Sequence, residues 1–229
     1  MITIFTDGAS RGNPGRGGWG SVVVTDNIVT ELGGREDNTT NNRMELSAAI
    51  NGLNAVLSSE EIVLNTDSSY VINGITKWVN GWIRNGWVTK TKEEVSNRDL
   101  WQKLVSASEG KKISWNYVGG HSGILGNERC DVIATSFADD EPTELYNGPF
   151  SKYHTQNILD LSKVVEKANK KSHSKAVAYS YVSMVDGKIE IHKTWAECEG
   201  RVKGKKAKFK KAISSDHERE IIAEFTKAS

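Results

Sequence analysis

The sequence predicts an α/β fold: a mixed five-stranded sheet with helices on both faces, followed by a small C-terminal ββαβα module. Three observations carry this reading. Along residues 1–140 the apolar pattern switches between strand-like runs and helical spacing in the order β-β-β-α-β-α-α-β-α. Asp139–Ser151 then holds two of the chain's three prolines, Pro142 and Pro149, and reads as a boundary. The charge changes sign across it. Residues 1–147 hold 13 Lys+Arg against 19 Asp+Glu, net −6, while residues 148–229 hold 17 against 10, net +7. A basic back module after an acidic front one points to attraction for polyanions in the second part.

The elements follow in order. Ile2–Thr6 and Trp19–Thr25 are β-branched and apolar, separated by the glycine-rich GASRGNPGRGG, and Ile28–Arg35 follows an Asp26-Asn27 turn. Leu46, Ala49, Ile50, Leu53, Val56 and Leu57 recur at helical spacing, with Thr39 or Thr40 as N-cap. Ile62–Thr66 reads as a short buried strand, Ser68–Val79 as a helix, and Asn97–Ser108 as a helix capped by Asn97. Ile113–Val118 is a strand and Gly126–Asp139 the last helix of the front module. Between Thr155 and Lys171, Ile158, Leu161, Val164 and Val165 fit one helical face, which leaves open a linker helix or a partly disordered tether. In the back module Ala176–Val185 and Lys188–His192 flank Asp186-Gly187, a strong hairpin signal. Thr194-x-x-Glu197 is a capping box, Ala207–Lys210 a third strand, and Ser215-x-x-Glu218 a second box leading into Ile221, Ile222 and Phe225. The expected organisation is a first domain over 1–140, a linker over 141–175 that leaves a part-helical form open, and a basic domain over 176–229.

Composition excludes several classes. With 37% hydrophobic and 26% charged residues the chain has enough apolar surface for a core, unlike a disordered or collagenous sequence. No apolar run approaches the roughly 20 residues a membrane helix needs. The N-terminal text MITIFTDGAS lacks the basic-then-apolar pattern of a secretory leader, so the expectation is a cytoplasmic monomer with no membrane partner. Cys130 and Cys198 stand far apart without metal-type spacing, which argues against a disulfide framework or a thiolate zinc site.

Carboxylates carry the chemistry. Asp7 closes the first strand and Asp67 the fourth, in the matching texts IFTDGAS and LNTDSSY; Glu45 lies in the first helix and Asp131 in the last. Open α/β sheets build their sites at strand carboxyl ends, so the two strand-end acids can share one crevice. Gathered carboxylates repel one another, and a divalent cation is the usual remedy; hard oxygen donors suit Mg²⁺ or Mn²⁺. Singly, each acid is more often a turn or cap residue.

The flanking text is more specific. TDGAS-x-GNPG-x-GG-x-G, TTNNRMEL-x-AAI, TDS-x-Y and GH-x-G-x-x-x-NE-x-CD occur in that order, and over roughly residues 1–140 the chain resembles type 1 ribonuclease H. The resemblance implies a ribonuclease H-like sheet and hydrolysis of the RNA strand of RNA/DNA hybrids, leaving 3′-hydroxyl and 5′-phosphate ends. It implies Asp7, Glu45, Asp67 and Asp131 as the acids holding two Mg²⁺ ions, with Mn²⁺ as a substitute, and His121 as an aid to proton transfer or product release. It places Asn13, Thr40, Asn41, Asn42 and Arg43 on the nucleic-acid backbone and base edges. The text KWVNGWIRNGW resembles the family's DNA-gripping protrusion, with Trp78 and Trp82 as contacts. It is only mildly basic, because Glu93 and Glu94 offset Lys77, Arg84, Lys90 and Lys92, and Ser69 stands where many bacterial members carry a longer polar side chain.

The text TWAECEGRVKGKKAKFKKA is similar to the hybrid-binding, viroplasmin-like domain of eukaryotic ribonucleases H, over about residues 177–226. In that family the domain precedes the catalytic one; here it follows. The resemblance implies Tyr181 and Trp195 as a stacking pair and Lys210 and Lys211 on phosphates, with hybrid or duplex RNA as partner. The competing reading makes Trp195 and Phe209 the module's own core and leaves the lysines as solubilising charges. Ala212 stands where an aromatic is usual. Two further functions compete for the whole chain. A non-catalytic binding protein is disfavoured by the four acids. A fragment of a reverse transcriptase or transposase is disfavoured by Met1 directly before the first strand and by the lack of polymerase text.

Overall fold

Ile2, Ile4 and Phe5 are all buried although they alternate between the two faces of one strand, so this strand must lie between two layers. The computed structural model, which describes residues 1–57, 60–89, 91–120, 122–155, 157–162 and 177–227, bears this out. β1 (Ile2–Ser10), β2 (Gly15–Val24) and β3 (Ile28–Thr39) form an antiparallel meander. β4 (Glu61–Thr66) and β5 (Lys112–Tyr117) add in parallel on the other side of β1. A short β6 (Asn147–Pro149) pairs antiparallel with β3 and completes the order β5-β4-β1-β2-β3-β6. The α/β class is as expected, with a sixth strand added to the predicted five. That strand was hidden because it is three residues long and ends on Pro149, which has no N–H to extend a ladder.

One face of the sheet packs against α1 (Asn41–Asn54) and α4 (Arg98–Ser108), through Ile4, Leu46, Leu53, Leu64, Trp101 and Leu104. The other packs against α5 (Leu125–Ala138), through Phe5, Val22, Cys130 and Ile133. Thr40 is the N-cap of α1; its hydroxyl accepts from the Arg43 N–H at 3.4 Å. The helix expected over Ser68–Val79 is broken into α2 (Ser69–Asn73), a π-helical turn (Gly74–Trp78) and α3 (Val79–Arg84), with Ser68 as cap. Asn97 does precede α4, but its backbone is left-handed at φ 58° and its side chain makes no cap. The Tyr70 hydroxyl takes the Asn97 amide at 3.1 Å instead, and also the Trp101 indole N–H at 3.0 Å.

Two glycines bring helices onto the strands beside the strand-end acids. A Cβ on Gly8 would overlap the backbone of Met44 and Glu45, so α1 reaches β1 one residue after Asp7. A Cβ on Gly20, the cross-strand partner of Asp7, would stand 2.5 Å from the Cys130 carbonyl and 2.8 Å from Ile133 Cβ. Gly20→Ala is therefore expected to lift α5 from the sheet at a cost of about 1–3 kcal/mol, measured by urea unfolding. Unchanged stability would mean that the helix can slide without penalty.

Two compact units divide the chain, Met1–Val164 and Val165–Ser229. The first continues past the expected boundary at residue 140: Tyr153 and Ile158 are fully enclosed in the same apolar cluster as Phe5 and Ile133. Most of the helix considered over Thr155–Lys171 lies outside the described residues.

The second unit is an antiparallel sheet in the order β8-β7-β9, built from β7 (Ser180–Val185), β8 (Lys188–His192) and β9 (Ala207–Ala212). It carries α6 (Trp195–Val202) and α7 (Ser215–Lys227). Asp186 and Gly187 both take positive φ, 49° and 74°, as the hairpin text required. The Thr194–Glu197 capping box forms as read. The second box does not: Ser214 accepts from the His217 N–H at 3.2 Å, and the Glu218 carboxylate instead accepts from the Ser180 hydroxyl. The core is Val182, Ala212, Ile221 and Phe225. Trp195 and Phe209 remain 40% and 48% exposed, so the reading that made them this core is overturned. Among the described residues no helix is long and apolar enough to cross a membrane.

Candidate active site

β1 and β4 are parallel neighbours in which Thr6 faces Thr66, so Asp7 and Asp67 each follow one member of the same pair. Glu45 sits in the first turns of α1, brought to β1 by the contact at Gly8. Asp131 follows Cys130, whose carbonyl lies over Gly20 across from Asp7. Four acids from three layers of the fold thus surround the carboxyl end of β1.

Electrostatics reports how close that gathering is. Asp7 is only 9% exposed, and its carboxyl is pushed up to about 8. Burial is the main cause; the negative charges of Asp67, Asp131 and Glu45 add to it, against a 2.7 Å hydrogen bond donated by the Gly8 N–H. Glu45 rises to about 7, first through burial and then through Asp67, while hydrogen bonds from Ser68 and Asn41 hold it down. The Asn41 amide reaches Glu45 Oε1 at 2.9 Å and the Ser68 hydroxyl donates to Oε2. Asn127, on α5, donates to Asp67 Oδ2 at 3.3 Å and so joins α5 to the end of β4. Ser68 and Asn127 were missed as site residues; their signal was present in the text, one directly after Asp67 and the other in the block that contains Asp131.

The donor set fits a hard divalent cation: several carboxylates, crowded enough to resist ionisation until a positive charge joins them. Among the described residues no three carboxylate, imidazole or thiolate groups close into a ready cage around one ion. Mg²⁺ does not need one, since it keeps several waters and is held by one or two carboxylates.

Of the residues expected on substrate, Asn41 reaches the acid cluster itself, and most of the others have partners of their own. Asn13 accepts from the Asn41 N–H at 3.1 Å, which ties the β1–β2 turn to the start of α1. Thr40 serves as cap and Asn42 is exposed. Arg43, expected on phosphate, has its fork occupied by Asp99 of α4, with both hydrogen bonds at 2.9 Å. Trp78 and Trp82 belong to a ladder of rings, with centroid spacings of 5.7 Å between them and 5.5 Å from Trp82 to the buried Trp101. Trp82 anchors the ladder and Trp78 is its exposed end. His121 lies outside the described residues. In the second unit the Trp195 ring packs at a tilt against Tyr181 (centroids 5.6 Å, planes at 58°) and Phe209 (5.4 Å, 53°), and Lys210 is gripped by both Glu224 oxygens at 2.6 and 2.7 Å.

The family model for RNase H matches residues 1–139. This chain belongs to the RNase H family. A ribonuclease H of Erythrobacter litoralis is 52% identical over 138 residues, covering 60% of this chain and 96% of the relative. One of Geotalea uraniireducens is 51% identical over 133 residues, covering 58% and 90%. Among solved structures, LC9-RNase H1, described as a type 1 RNase H with the type 2 active-site motif, superposes with a TM-score of 0.58 at 27% identity. That superposition covers 72% of this chain and 84% of the other. As an RNase H family member the chain is an enzyme, a ribonuclease H, and the non-catalytic binding reading falls. The family match ends at residue 139, before the second unit begins.

Proposed function

We propose that this RNase H family enzyme hydrolyses the RNA strand of RNA/DNA hybrids at the acid cluster, leaving 3′-hydroxyl and 5′-phosphate ends. The observation that carries the reading is the Asp7 carboxyl, buried beside three other acids and pushed up to about 8. Asp7, Glu45, Asp67 and Asp131 hold two Mg²⁺ ions, with Mn²⁺ as a substitute. When bound, the ions supply the positive charge that favours in-line displacement at phosphorus. The chain's own residues do the rest. Asn41 and Ser68 fix the Glu45 carboxylate from two sides, and Asn127 fixes Asp67. His121 assists proton transfer or product release, roles that an imidazole side chain can serve. Asn13, Asn41 and Asn42 offer short amides to a shallow minor groove and its 2′-hydroxyls, and Trp78 with Trp82 meets the DNA strand.

The second unit acts as a tether for hybrid or duplex RNA. Support comes from its net positive charge and from the Tyr181–Trp195–Phe209 ladder, in which Trp195 and Phe209 are exposed and with which Lys211 shares a sheet face; Lys210 lies on the opposite face, against Glu224.

Labelled hybrid, duplex RNA and single-stranded RNA, each with and without Mg²⁺, test the nuclease reading. Cleavage confined to the hybrid and dependent on the cation is expected. Equal cutting of duplex RNA would instead mark a broader nuclease.

A further inference from the structure

Beyond the span that the family model matches, the first unit carries a clamp on the helix that bears Asp131. Glu31 of β3 has a side chain with no solvent exposure, and it is ionised there: burial opposes its charge, but donated hydrogen bonds hold its carboxyl below the ordinary range. Four donors surround it. Arg129 of α5 gives a parallel fork, Nε to Oε1 and Nη2 to Oε2, both at 2.7 Å. The Tyr153 hydroxyl donates to Oε1 at 2.6 Å and the Tyr146 N–H to Oε2 at 2.9 Å. The Arg129 Nη2 group also donates to the Glu144 carbonyl at 3.0 Å. Three of these partners, Glu144, Tyr146 and Tyr153, lie past residue 139, where the family match ends.

The same segment is stitched to β3 by backbone pairing. The Glu31 N–H donates to the Tyr146 carbonyl at 2.8 Å, and Gly148 faces Val29 in the β3–β6 register. The Tyr146 and Tyr153 rings pack at 5.1 Å, and Tyr153 is 1% exposed. Arg129 is therefore held from β3 on one side and from the 144–153 segment on the other. It stands two residues before Asp131 and two after Asn127, which donates to Asp67. A fork with a planar partner fixes both the roll and the height of the helix, and a single charged pair at a helix surface would fix neither.

We propose that Tyr153 is a positioning residue: through Glu31 and Arg129 it sets where α5 presents Asp131 to the acid cluster. The segment after residue 139 is thereby part of the catalytic unit rather than a spacer. This rests on the nuclease reading, and wild-type cleavage of hybrid with its loss in Asp7→Asn tests that reading separately.

The experiment uses the full chain. Tyr153→Phe keeps the buried ring and removes one donor from Glu31; Arg129→Lys keeps the charge and removes the fork. Steady-state cleavage of hybrid in Mn²⁺ and Mn²⁺ binding by calorimetry are measured for each variant, alone and combined with Asp131→Asn. Each variant alone is expected to lower kcat and weaken Mn²⁺ binding by about 10-fold, the scale seen for partners that orient metal-binding side chains, with KM within about twofold. In the Asp131→Asn background neither variant should lower kcat or Mn²⁺ affinity further, because the residue they act through is already disabled. A fall in melting temperature with kcat and Mn²⁺ affinity unchanged would reduce the clamp to a staple. Equal losses in both backgrounds would overturn the route through Asp131.

Discussion

Asp7→Asn is expected to abolish hybrid cleavage and, in the absence of metal, to make the protein more stable above neutral pH. The first effect follows from removing one charge of the four proposed to hold the cations. The second follows from the carboxyl's shift. In the fold Asp7 titrates at about 8, above its ordinary 3.8, because it is buried among other acids. A group raised in this way contributes its full stability only below its unfolded value, and loses it as pH rises through the folded one. Metal-free wild type should therefore weaken between about pH 4 and pH 8, and Glu45, raised to about 7, adds to the same slope. Asn has no charge to bury, so the variant escapes the Asp7 part. A gain of roughly 5–10 °C in melting temperature at pH 8 without metal is expected, shrinking toward zero at pH 4. Mg²⁺ should raise the wild-type melting temperature more at pH 8 than at pH 5, and the variant's far less. Near-wild-type turnover in Asp7→Asn would remove this residue from the metal-binding set. A variant less stable than wild type at pH 8 would mean that the carboxylates do not crowd one another as described.

Local text reached most of this site because its key positions are set by short-range rules. Asp7 and Asp67 end adjacent parallel strands, and each strand announces itself by an apolar run before the acid. The capping Thr40 and the hairpin at Asp186-Gly187 are likewise decided within four residues. Long-range partners were not legible. Arg43 meets Asp99 at a separation of 56 residues, and Glu31 meets Tyr153 at 122, and nothing in either local sequence names the other. The boundary reading erred for the same reason. A proline-bearing, polar stretch looks like a linker until Tyr153 and Ile158 find the cluster around Phe5. The second capping box failed through competition: Ser180 claims the Glu218 carboxylate, and Ser214 does the capping.

Removing the second unit is expected to raise KM on long hybrids by about 10-fold or more while leaving kcat within about twofold, since the acid cluster stays whole. The cut belongs after Val164, where the first compact unit ends, and not near residue 150, which would strip Tyr153 from Glu31. Salt gives the sharper reading. The front part of the chain is net −6 and the back part net +7, so counterion release should reside mainly in the back part, at a slope of about 0.9 per phosphate neutralised on a duplex. Truncation should flatten the dependence of log affinity on log salt, and Lys210→Ala/Lys211→Ala should flatten it partway. Glu224 already neutralises Lys210, with contacts at 2.6 and 2.7 Å, and must release it before a phosphate can take its place. Glu224→Gln is accordingly expected to tighten binding and steepen the slope. Trp195→Ala should weaken binding by about 1–3 kcal/mol if bases or sugars stack on the exposed ladder. Hybrids too short to reach both units should show no effect of truncation, which separates tethering from damage to the catalytic unit. A truncated enzyme with the same KM, salt slope and product lengths on long hybrids would remove the tether role and leave the exposed aromatic ladder to a protein partner.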